Sequence, residues 1–310
     1  MKIYTSLEHF KNVNNPVLTT GTFDGVHLGH KKILRQLRLA ADQLGGETVL
    51  FTFKPHPRMV LFPDAHNLKL LNTEREKIEQ LEKAGLQHLV LFPFTLEFSR
   101  MSANEFVRDI LVNQLKIKKL IIGYDHHFGR NREGSSENLK ELAPIYKFDF
   151  EEIPVQVLDD VSISSTKIRR AIEQGEVKTA HKFLGYPFQL NGVVAYGDKR
   201  GRTIGFPTAN LKIEDSTKLI PGNGVYAVKV HHQGNSYKGM MNVGVKPTIG
   251  ENKGISMEVN VFDFEGELYD EHLKIELMDW IRDEKRFASI DELKQQLGED
   301  RVKVEELLNV

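Results

Sequence analysis

The sequence has no cysteine among its 310 residues, and this absence removes several kinds of chemistry. Disulfides, thiolate nucleophiles and cysteine-ligated zinc or iron–sulfur sites are excluded. Long hydrophobic runs are missing too: the strongest, Leu89 to Phe94, contains Pro93 and is far shorter than the roughly 18 residues that a membrane helix needs. The first residues lack the apolar stretch of a signal peptide. We therefore expect a cytoplasmic protein without membrane contact.

Neither sign of charge is in excess, since 42 basic side chains face 43 acidic ones and the formal net charge is -1. A chain this close to neutrality is not expected to coat nucleic acid. With 40% hydrophobic and 27% charged residues, the composition is typical of a soluble globular protein. At about 150 residues per domain, the length predicts two domains.

Apolar runs alternate with helical periodicity through the first 185 residues. The runs predict strands at Pro16–Thr20, Thr48–Phe53, Leu89–Phe94, Leu120–Gly123 and Ile153–Leu158. Capping boxes that begin at Thr73 and Ser102 predict helices, because the hydroxyl and the following carboxylate satisfy backbone N–H groups that a helix end leaves open. Such alternation predicts an α/β domain with a doubly wound parallel sheet.

The pattern changes after Gly185 to short alternating strands separated by turn pairs. These strands are predicted at Asn191–Tyr196, Gly224–His231, Lys238–Val243, Met257–Phe262 and Leu273–Leu277. They favour an antiparallel barrel or sandwich. A short helix is expected between Gly175 and Gly185, and a capping box at Ser289 predicts a terminal helix to about Leu308. The predicted domains are therefore residues 1–185 and 186–310.

A glycine-containing turn follows the first predicted strand and reads Gly21-Thr22-Phe23-Asp24-Gly25-Val26-His27-Leu28-Gly29-His30. Free backbone N–H groups at such a strand-to-helix turn bind anionic phosphates. His27 and His30 are three residues apart, so they share one helix face and can donate to one phosphate. Gly29 leaves room for a nucleotide against the backbone. The alternatives are ordinary surface or core histidines, or two metal ligands, but no third ligand has recognisable spacing.

A second cluster, from Asp160 to Arg170, places hydroxyls at a predicted helix start and cations just inside it. The hydroxyls and N–H groups can hold a phosphate, while Lys167 or Arg169 neutralises charge on a leaving pyrophosphate. The alternative is a helix cap followed by solvated basic residues.

A third cluster spans residues 197–211, where glycines alternate with Lys199, Arg200 and Arg202. This composition predicts a flexible cationic loop that wraps phosphates, although no Gly-Lys-Ser/Thr sequence ends it as in a Walker loop. Thr208 and Asn210 offer oxygen ligands at alternate positions of an extended segment, so both can face one Mg²⁺. The alternative is a simple Gly/Arg hairpin turn.

Together these motifs resemble the bacterial bifunctional riboflavin kinase/FAD synthetase family. The resemblance rests on the Gly21–His30 turn and on three further stretches, Phe51–Pro57, Ile122–Gly129 and Ser164–Arg169. It implies a nucleotidylyltransferase domain that transfers AMP from ATP to FMN and releases pyrophosphate. The implied ATP-binding residues are Gly21, Phe23, Asp24, His27, His30, Ser164, Thr166 and Arg169, of which the two histidines and Arg169 are catalytic. Asp125 matches a nucleotide or flavin position, and the roles of the following His126 and His127 stay open.

The second half is similar to the riboflavin kinase signature, Gly-Arg-Thr-Ile-Gly-Phe-Pro-Thr-Ala-Asn. The resemblance implies a β-barrel kinase domain in which Glu258 is the general base for the riboflavin 5′-hydroxyl. Asn260 stands where we expect the family to have histidine. The implied ATP-binding residues are Gly197, Lys199, Arg202, Gly205, Thr208 and Asn210, with Thr208 and Asn210 as Mg²⁺ ligands. The implied flavin-binding residues are Asn242, Arg282 and Phe287.

The resemblance thus implies two reactions in one chain, riboflavin to FMN and FMN to FAD. ATP is the co-substrate of both, Mg²⁺ is the expected metal, and the expected partners are small molecules with no nucleic acid or membrane. A monomer or weak homo-oligomer is expected. Two alternatives stay open: only one activity is live, with the other domain structural, or the chain is a non-catalytic flavin-binding regulator.

Overall fold

The computed structural model describes residues 1–62, 68–124, 126–154, 163–196, 205–245 and 254–309. The chain divides into two compact units: the first combines Met1–Leu68 with Glu74–Ser164, and the second combines Lys69–Thr73 with Ser165–Val310. The helical stretch before residue 185 therefore counts with the second unit. The domain boundary that the sequence places at residue 185 stays a prediction.

A six-stranded parallel sheet forms the centre of the first unit. Its strands are β1 (Lys2–Tyr4), β2 (Val17–Thr20), β3 (Thr48–Lys54), β4 (His88–Pro93), β5 (Lys119–Gly123) and β6 (Asp149–Ile153). Their order across the sheet is β1-β4-β3-β2-β5-β6, and every neighbouring pair is parallel. The predicted doubly wound sheet is confirmed.

The strand order reverses between β2 and β5. From β2 the chain continues through β3 and β4 towards one edge, whereas β5 and β6 extend the sheet from β2 towards the other. In open α/β sheets, ligands bind outside the carboxyl ends of the strands at such a reversal. Since β2 ends at Thr20, the Gly21–His30 turn begins at this position.

Helices accompany the strands of this sheet. They are α1 (Leu28–Leu44), α2 (Pro57–Leu61), α3 (Glu74–Lys83), α4 (Ala103–Glu105), which continues as a π-helical stretch over Phe106–Gln114, and α5 (Ser136–Tyr146).

Alternate residues of the central strands enter two cores: Leu18 and Phe51 enter one, while Val17 and Leu50 enter the other. Strands buried on both faces need continuous apolar runs, which is why the sequence reveals them.

The two capping boxes mark real helix starts. Helix α3 begins at Glu74, directly after Thr73, and α4 begins directly after Ser102. The reciprocal bonds are present in α4, where Ser102 Oγ accepts from Glu105 N at 3.2 Å and Glu105 Oε2 accepts from Ser102 N at 2.9 Å.

The edge strands differ from the sequence prediction. The last strand is β6 at Asp149–Ile153, whereas the apolar pattern places it at Ile153–Leu158, of which residues 155–158 lie outside the described ranges. The pattern also misses β1. Strand β6 reads Asp-Phe-Glu-Glu-Ile, and charged side chains of this kind are typical of edge strands. A search for hydrophobic runs alone therefore does not locate the edge strands of this sheet.

The second unit contains a closed antiparallel barrel. Its strands are β7 (Gln189–Ala195), β8 (Ala209–Lys212), β9 (Gly224–His232), β10 (Asn235–Val245), β11 (Ile255–Val261) and β12 (His272–Arg282). The order β10-β11-β8-β7-β12-β9 closes because β9 also pairs with β10. Of the two architectures that the pattern leaves open, the structure has the barrel. The four-residue strand β8 has no counterpart in the prediction.

Within its described residues, the barrel unit has three helices: α6 (Ser165–Glu173), α7 (Val177–Leu184) and α8 (Ile290–Leu308). Helix α7 matches the short helix expected between Gly175 and Gly185. Ser289 caps the start of α8 as predicted, with its Oγ accepting from Glu292 N at 3.2 Å. The second bond of the predicted capping box differs, because the Glu292 carboxylate accepts from Ala288 N at 3.0 Å.

Helix α8 identifies the outer face of the barrel. Val304 of α8 packs in one cluster with Val225 of β9 and Met240 of β10. The residues next to these on the strands, Tyr226 and Met241, are completely buried. Because side chains alternate across a strand, positions with the parity of Val225 and Met240 face outwards and those with the parity of Tyr226 and Met241 fill the interior.

The short segment Lys69–Thr73 adds to the barrel unit from a distant part of the sequence. Leu70 forms a parallel bridge with Lys218, with Leu70 N donating to Thr217 O at 2.7 Å. Lys218 is 2% exposed, and its Nζ donates to the Leu71 carbonyl at 2.7 Å. We call Lys69–Thr73 the strap.

Across the described ranges, none of the helices combines the length and the apolar character needed to cross a membrane.

Candidate active sites

The turn after β2 has an unusual backbone. Phe23 and Val26 adopt φ angles of 50° and 35°, and residues other than glycine rarely adopt positive φ angles. Both residues are buried, and Gly21 N donates to Phe51 O at 3.1 Å. Strain of this kind persists only where the surrounding structure enforces it, and it is concentrated at functional sites.

His27 caps helix α1 and stacks on His30. His27 Nδ1 accepts the backbone N–H of His30 at 3.3 Å, so the ring proton of His27 lies on Nε2, which is left to donate. The imidazole centroids are 3.6 Å apart, and Phe23 stacks on His30 at 4.5 Å. The histidines thus share one face, as their spacing predicts. A Cβ on Gly29 would lie 3.2 Å from the His27 ring, so the glycine makes room for this stack.

Burial keeps both histidines uncharged at neutral pH. Desolvation lowers the pKa of His27 to about 4. The pKa of His30 lies well below its ordinary value, first because of burial and then because of the nearby His27 and Lys77. A neutral imidazole donates one N–H and carries no charge. The stack can therefore offer N–H groups to phosphate oxygens, while positive potential comes from other groups, including the N-terminus of α1.

Lys77 of α3 brings a cation to this turn, although the sequence analysis does not single it out. Its Nζ donates to the Thr22 carbonyl at 2.8 Å and to Thr52 Oγ1 at 2.9 Å. Burial lowers the pKa of Lys77 to about 8, while the nearby carboxylates of Asp24 and Glu74 act in the opposite direction. The ammonium is therefore charged at neutral pH.

The other residues predicted for this nucleotide site are distributed as follows. Ser164 ends the first unit, whereas Thr166 and Arg169 lie on α6, which counts with the second unit. Arg169 Nη1 donates to Thr166 Oγ1 at 3.4 Å, so these two side chains are brought together. Asp125 lies outside the described residues. The shared use of Thr166 and Arg169 with the histidine stack stays a prediction.

In the barrel, strand register brings three predicted residues into one row. Glu258 of β11 is the direct partner of Asn210 on β8 and of Asn242 on β10. Directly opposed residues have their Cβ atoms about 5 Å apart on the same face of a sheet. Because Val259 and Met241 fill the interior, this row lies on the outer face. The predicted base is thus flanked by a predicted metal ligand and a predicted flavin-binding residue.

Two further side chains of β11 fix the surroundings of Glu258. Ser256 Oγ donates to Glu258 Oε1 at 3.3 Å. Asn260 Nδ2 donates to the Pro207 carbonyl at 2.6 Å, which ties the segment before Thr208 to the strand that carries Glu258. The residue that departs from the expected family histidine therefore has a structural partner here.

Cavities open on both sides of Glu258 along β11. One, of about 480 Å³, is lined by residues that include Asn210, Ser256 and Tyr196. The other, of about 330 Å³, is lined by residues that include Gly205 and Asn260. Glu258 lies between Ser256 and Asn260 in the strand and shares their face, so it is next to a residue that lines each cavity.

Two further contacts are made near these cavities. Tyr196 stacks on Tyr269 with ring centroids 4.4 Å apart, and 67% of the Tyr196 side chain is exposed. The Glu284 carboxylate lies against Gly244, where a Cβ would meet Glu284 Oε1 at 2.2 Å. The glycine at position 244 is the sequence signal for the close approach of Glu284.

The remaining predicted residues of the kinase half fall into two groups. Gly197, Lys199 and Arg202 lie outside the described residues. Arg282 makes a bidentate ion pair with Asp300 of α8, with Nε–Oδ1 and Nη2–Oδ2 distances of 3.0 and 2.7 Å.

This ion pair gives Arg282 a structural role. Only 14% of the Arg282 side chain and 3% of the Asp300 side chain are exposed, and Arg282 Nη1 also donates to the Asp283 carbonyl at 2.9 Å. The Phe287 ring centroid lies 5.8 Å from Arg282 Cζ. Flavin binding by Arg282 and Phe287 stays a prediction.

The oxygen donors near Glu258 suit a magnesium ion that arrives with a nucleotide. Thr208 lies two positions before Asn210 in an extended segment, so both side chains can face the same side. Mg²⁺ is usually held by one or two protein oxygens together with substrate phosphates and waters. Within the part of the chain that the structure describes, no three His, Asp or Glu side chains gather into a larger metal site. The residues present therefore fit Mg²⁺ bound through the substrate.

These sites define a nucleotide-dependent transferase with two separate centres, one at the switch point of a parallel sheet and one on a barrel. Comparison with known proteins supports this class. The family model of FAD synthetase matches residues 9–167, and the family model of riboflavin kinase matches residues 184–308. The chain belongs to the family of bifunctional riboflavin kinases/FMN adenylyltransferases.

Two curated relatives illustrate the match. The bifunctional riboflavin kinase/FMN adenylyltransferase of Listeria monocytogenes is 38% identical over 286 residues, which cover 92% of this chain and 90% of the relative. The protein of the same name from Bacillus subtilis is 37% identical over 287 residues, with the same coverage of 92% and 90%. Both halves of the chain are therefore aligned with enzymes that carry both names.

A solved structure shares the fold along nearly the whole chain. It is described as a macrolide-efflux protein from Streptococcus pneumoniae, and it matches with a TM-score of 0.87 and 33% identity over 96% of each chain. The word efflux belongs to the description of that protein and is not carried over to this chain. For this chain the likeness shows the arrangement of strands and helices.

Proposed function

We propose that this chain converts riboflavin to FMN at the barrel and FMN to FAD at the parallel sheet, with ATP as the co-substrate of both reactions. The observation that carries this proposal is that one chain holds both family domains, each with a cluster of reactive side chains. The row of Glu258 with its two asparagine partners supports the first reaction. The stack of His27 and His30 at the switch point supports the second.

At the barrel, Glu258 acts as general base. Its carboxylate accepts the proton of the riboflavin 5′-hydroxyl as that oxygen attacks the γ-phosphorus of ATP, and ADP leaves. The Ser256 hydroxyl, 3.3 Å from Oε1, orients the carboxylate. Thr208 and Asn210 would hold Mg²⁺, which supplies charge neutralisation at the phosphates when bound. Asn260 keeps Thr208 in reach by holding the Pro207 carbonyl.

At the sheet, the protein positions two anions for an in-line transfer. An oxygen of the FMN phosphate attacks the α-phosphorus of ATP, the bond to the bridging oxygen breaks, and pyrophosphate leaves. The Nε2–H of His27, the His30 ring and the N-terminus of α1 receive phosphate oxygens. Ser164, Thr166 and Arg169 bind the leaving group in this proposal, and Arg169 neutralises its charge. Asp24 belongs to the same turn.

The proposal also assigns roles to further residues. Gly197, Lys199, Arg202 and Gly205 bind the ATP of the kinase reaction. Asn242, Arg282 and Phe287 bind its flavin, and Asp125 binds the nucleotide or flavin at the sheet. A cytoplasmic location, the lack of a nucleic-acid partner and a monomeric or weakly associating state remain predictions from the sequence.

The test is a time course of products from riboflavin, ATP and Mg²⁺ with the full chain, resolved by chromatography. We expect FMN to appear first, followed by FAD and an equal amount of pyrophosphate. FMN without FAD, even when FMN is supplied, would leave only the kinase. Flavin binding without any product would replace the proposal by the regulator alternative.

A further inference from the structure

The ammonium of Lys77 is placed differently from the other cations of its helix. Lys83, also on α3, forms an ordinary surface pair with Glu79, in which the two side chains are 58% and 38% exposed. Lys77 instead reaches Thr52 Oγ1 on a side chain that is completely buried. Removing an ammonium from water is costly unless its hydrogen bonds are replaced. A lysine in this position therefore indicates a role other than that of an ordinary surface charge.

The contacts of Lys77 form a closed arrangement around one carbonyl. Thr22 O accepts from Lys77 Nζ at 2.8 Å and from Thr52 Oγ1 at 3.3 Å, and Nζ itself donates to Thr52 Oγ1 at 2.9 Å. Two of the three ammonium N–H groups are used in this way. The peptide after Thr22 is consequently tied to both α3 and β3.

That peptide leads directly into the histidine stack. Phe23 follows Thr22 with a φ of 50°, a conformation that needs external support. The Phe23 ring packs on His30, and His30 packs on His27. A shift of the Thr22 carbonyl therefore moves the side chains that face the nucleotide phosphates.

The charge of Lys77 also suits this place. It faces Asp24 of the turn, His30 of α1 and Glu74 of its own helix, and Glu74 is in turn paired with Lys54 of β3 at 2.6 Å. Asp24 is 4% exposed, and a buried carboxylate needs a nearby cation. Since burial leaves the histidines neutral, they cannot supply this charge.

We propose that Lys77 is a positioning residue of the adenylyl-transfer site, whose ammonium fixes the Thr22 carbonyl and, through Phe23, holds His30 and His27 in the arrangement that receives the ATP phosphates. This inference rests on the proposed function of the first unit. Its action depends on the charged form, because only an ammonium donates to both oxygens while balancing Asp24.

The experiment compares Lys77→Met, Lys77→Arg and the control Lys83→Met in the full chain. We expect Lys77→Met to lower kcat/KM for FAD formation about 100-fold, the size typical of a misplaced catalytic group. FMN formation at the barrel stays unchanged in the same sample and reports folding of the barrel unit, while urea unfolding followed by circular dichroism reports folding of the sheet unit that carries Lys77. Lys83→Met, which removes an exposed cation from the same helix, keeps both activities.

The pH profile separates positioning by charge from a merely structural role. With its pKa near 8, Lys77 loses its proton as the pH rises, so wild-type FAD formation falls above pH about 8. Carboxylates and imidazoles ordinarily titrate at lower pH. A guanidinium stays charged, so we expect Lys77→Arg to lack this alkaline decline even if its rate is lower.

Three outcomes decide the matter. A Lys77→Met protein with FAD formation within about threefold of wild type overturns the inference, since that is far below the loss a misplaced group causes. If Lys77→Met does not fold, an alkaline decline in Lys77→Arg identical to that of wild type overturns it equally. A wild-type protein that makes FMN but no FAD refutes the proposed function itself, which is a different result.

Discussion

The sheet site and the barrel site are positioned by different levels of structure. At the sheet, His27 and His30 are three residues apart, and one turn of a capped helix stacks their rings. At the barrel, Asn210, Asn242 and Glu258 come from three strands and meet because of their register. The first arrangement depends on local backbone geometry, and the second depends on long-range pairing.

This difference has consequences for how each site fails. A local turn with φ angles of 50° and 35° relies on the groups that support it, so a change at a supporting residue disturbs one activity. A row across a barrel relies on register, and a one-residue slip would turn every side chain to the other face. We therefore expect the two activities to be separable by single substitutions at reactive groups.

The largest effect is expected from Glu258→Gln. The amide cannot accept the hydroxyl proton, so riboflavin phosphorylation should fall about 100- to 10,000-fold. FAD formation from supplied FMN should be unchanged, because that reaction uses the other unit. Both rates are measured by chromatography of the products, and riboflavin phosphorylation at a near-normal rate would remove Glu258 as the base.

The reciprocal substitution is His30→Ala. Loss of an N–H donor to the phosphates and of the partner of the stack should lower FAD formation about 100-fold or more. FMN formation in the same preparation controls for the barrel unit, and urea unfolding followed by circular dichroism controls for folding of the sheet unit that carries His30. If FAD synthesis stayed at the wild-type rate, the histidine stack would not be part of the adenylyl-transfer site.

Asp300→Asn tests whether Arg282 is held mainly for structure. The neutral amide leaves a guanidinium that is 14% exposed without its counter-charge, which costs about 3 kcal/mol of unfolding free energy. The control is Asp263→Asn, which removes a partner of Arg301 that is 82% exposed and should cost less than about 1 kcal/mol. Urea unfolding of both variants gives the comparison, and equal stabilities would contradict it.

The smallest predicted effect is a pH dependence of stability confined to the sheet unit. Burial lowers the pKa of His27 to about 4 from 6.5, so between these values the unfolded chain binds a proton that the folded chain does not. Stability therefore falls as the pH decreases, by about 2 kcal/mol from His27 between pH 7 and pH 5. Urea unfolding at the two pH values should show a smaller difference in His27→Asn. An unchanged difference would mean that His27 is protonated in the folded protein.

The central strands, the capped helices and the histidine pair could be predicted because their signals are local. Val17–Thr20 is buried on both faces, and the spacing of His27 and His30 places them together on any helix start. The edge strand β6 could not be placed, since its acidic residues carry no apolar signal.

The barrel row and Lys77 required the structure for another reason. Nothing in the spacing of Asn210 and Glu258 indicates that they are partners, and only the resemblance to a family singled them out. Helix α3 shows Ile78 and Leu81 as its apolar positions, yet it also buries Glu76 and Gln80. The inner face of this helix therefore contains polar residues, and a search for apolar periodicity does not find a lysine that points inwards among them.

The strap has a consequence for separating the two halves of this enzyme. Because Lys69–Thr73 counts with the barrel, no single cut of the chain yields both units whole. A fragment that begins after residue 164 would lose the Leu71 carbonyl that receives the ammonium of Lys218. Independent expression of the kinase therefore calls for a grafted copy of the strap or for a substitution at Lys218 that removes the charge. In gene fusions and domain exchanges, the useful unit is the barrel with its strap.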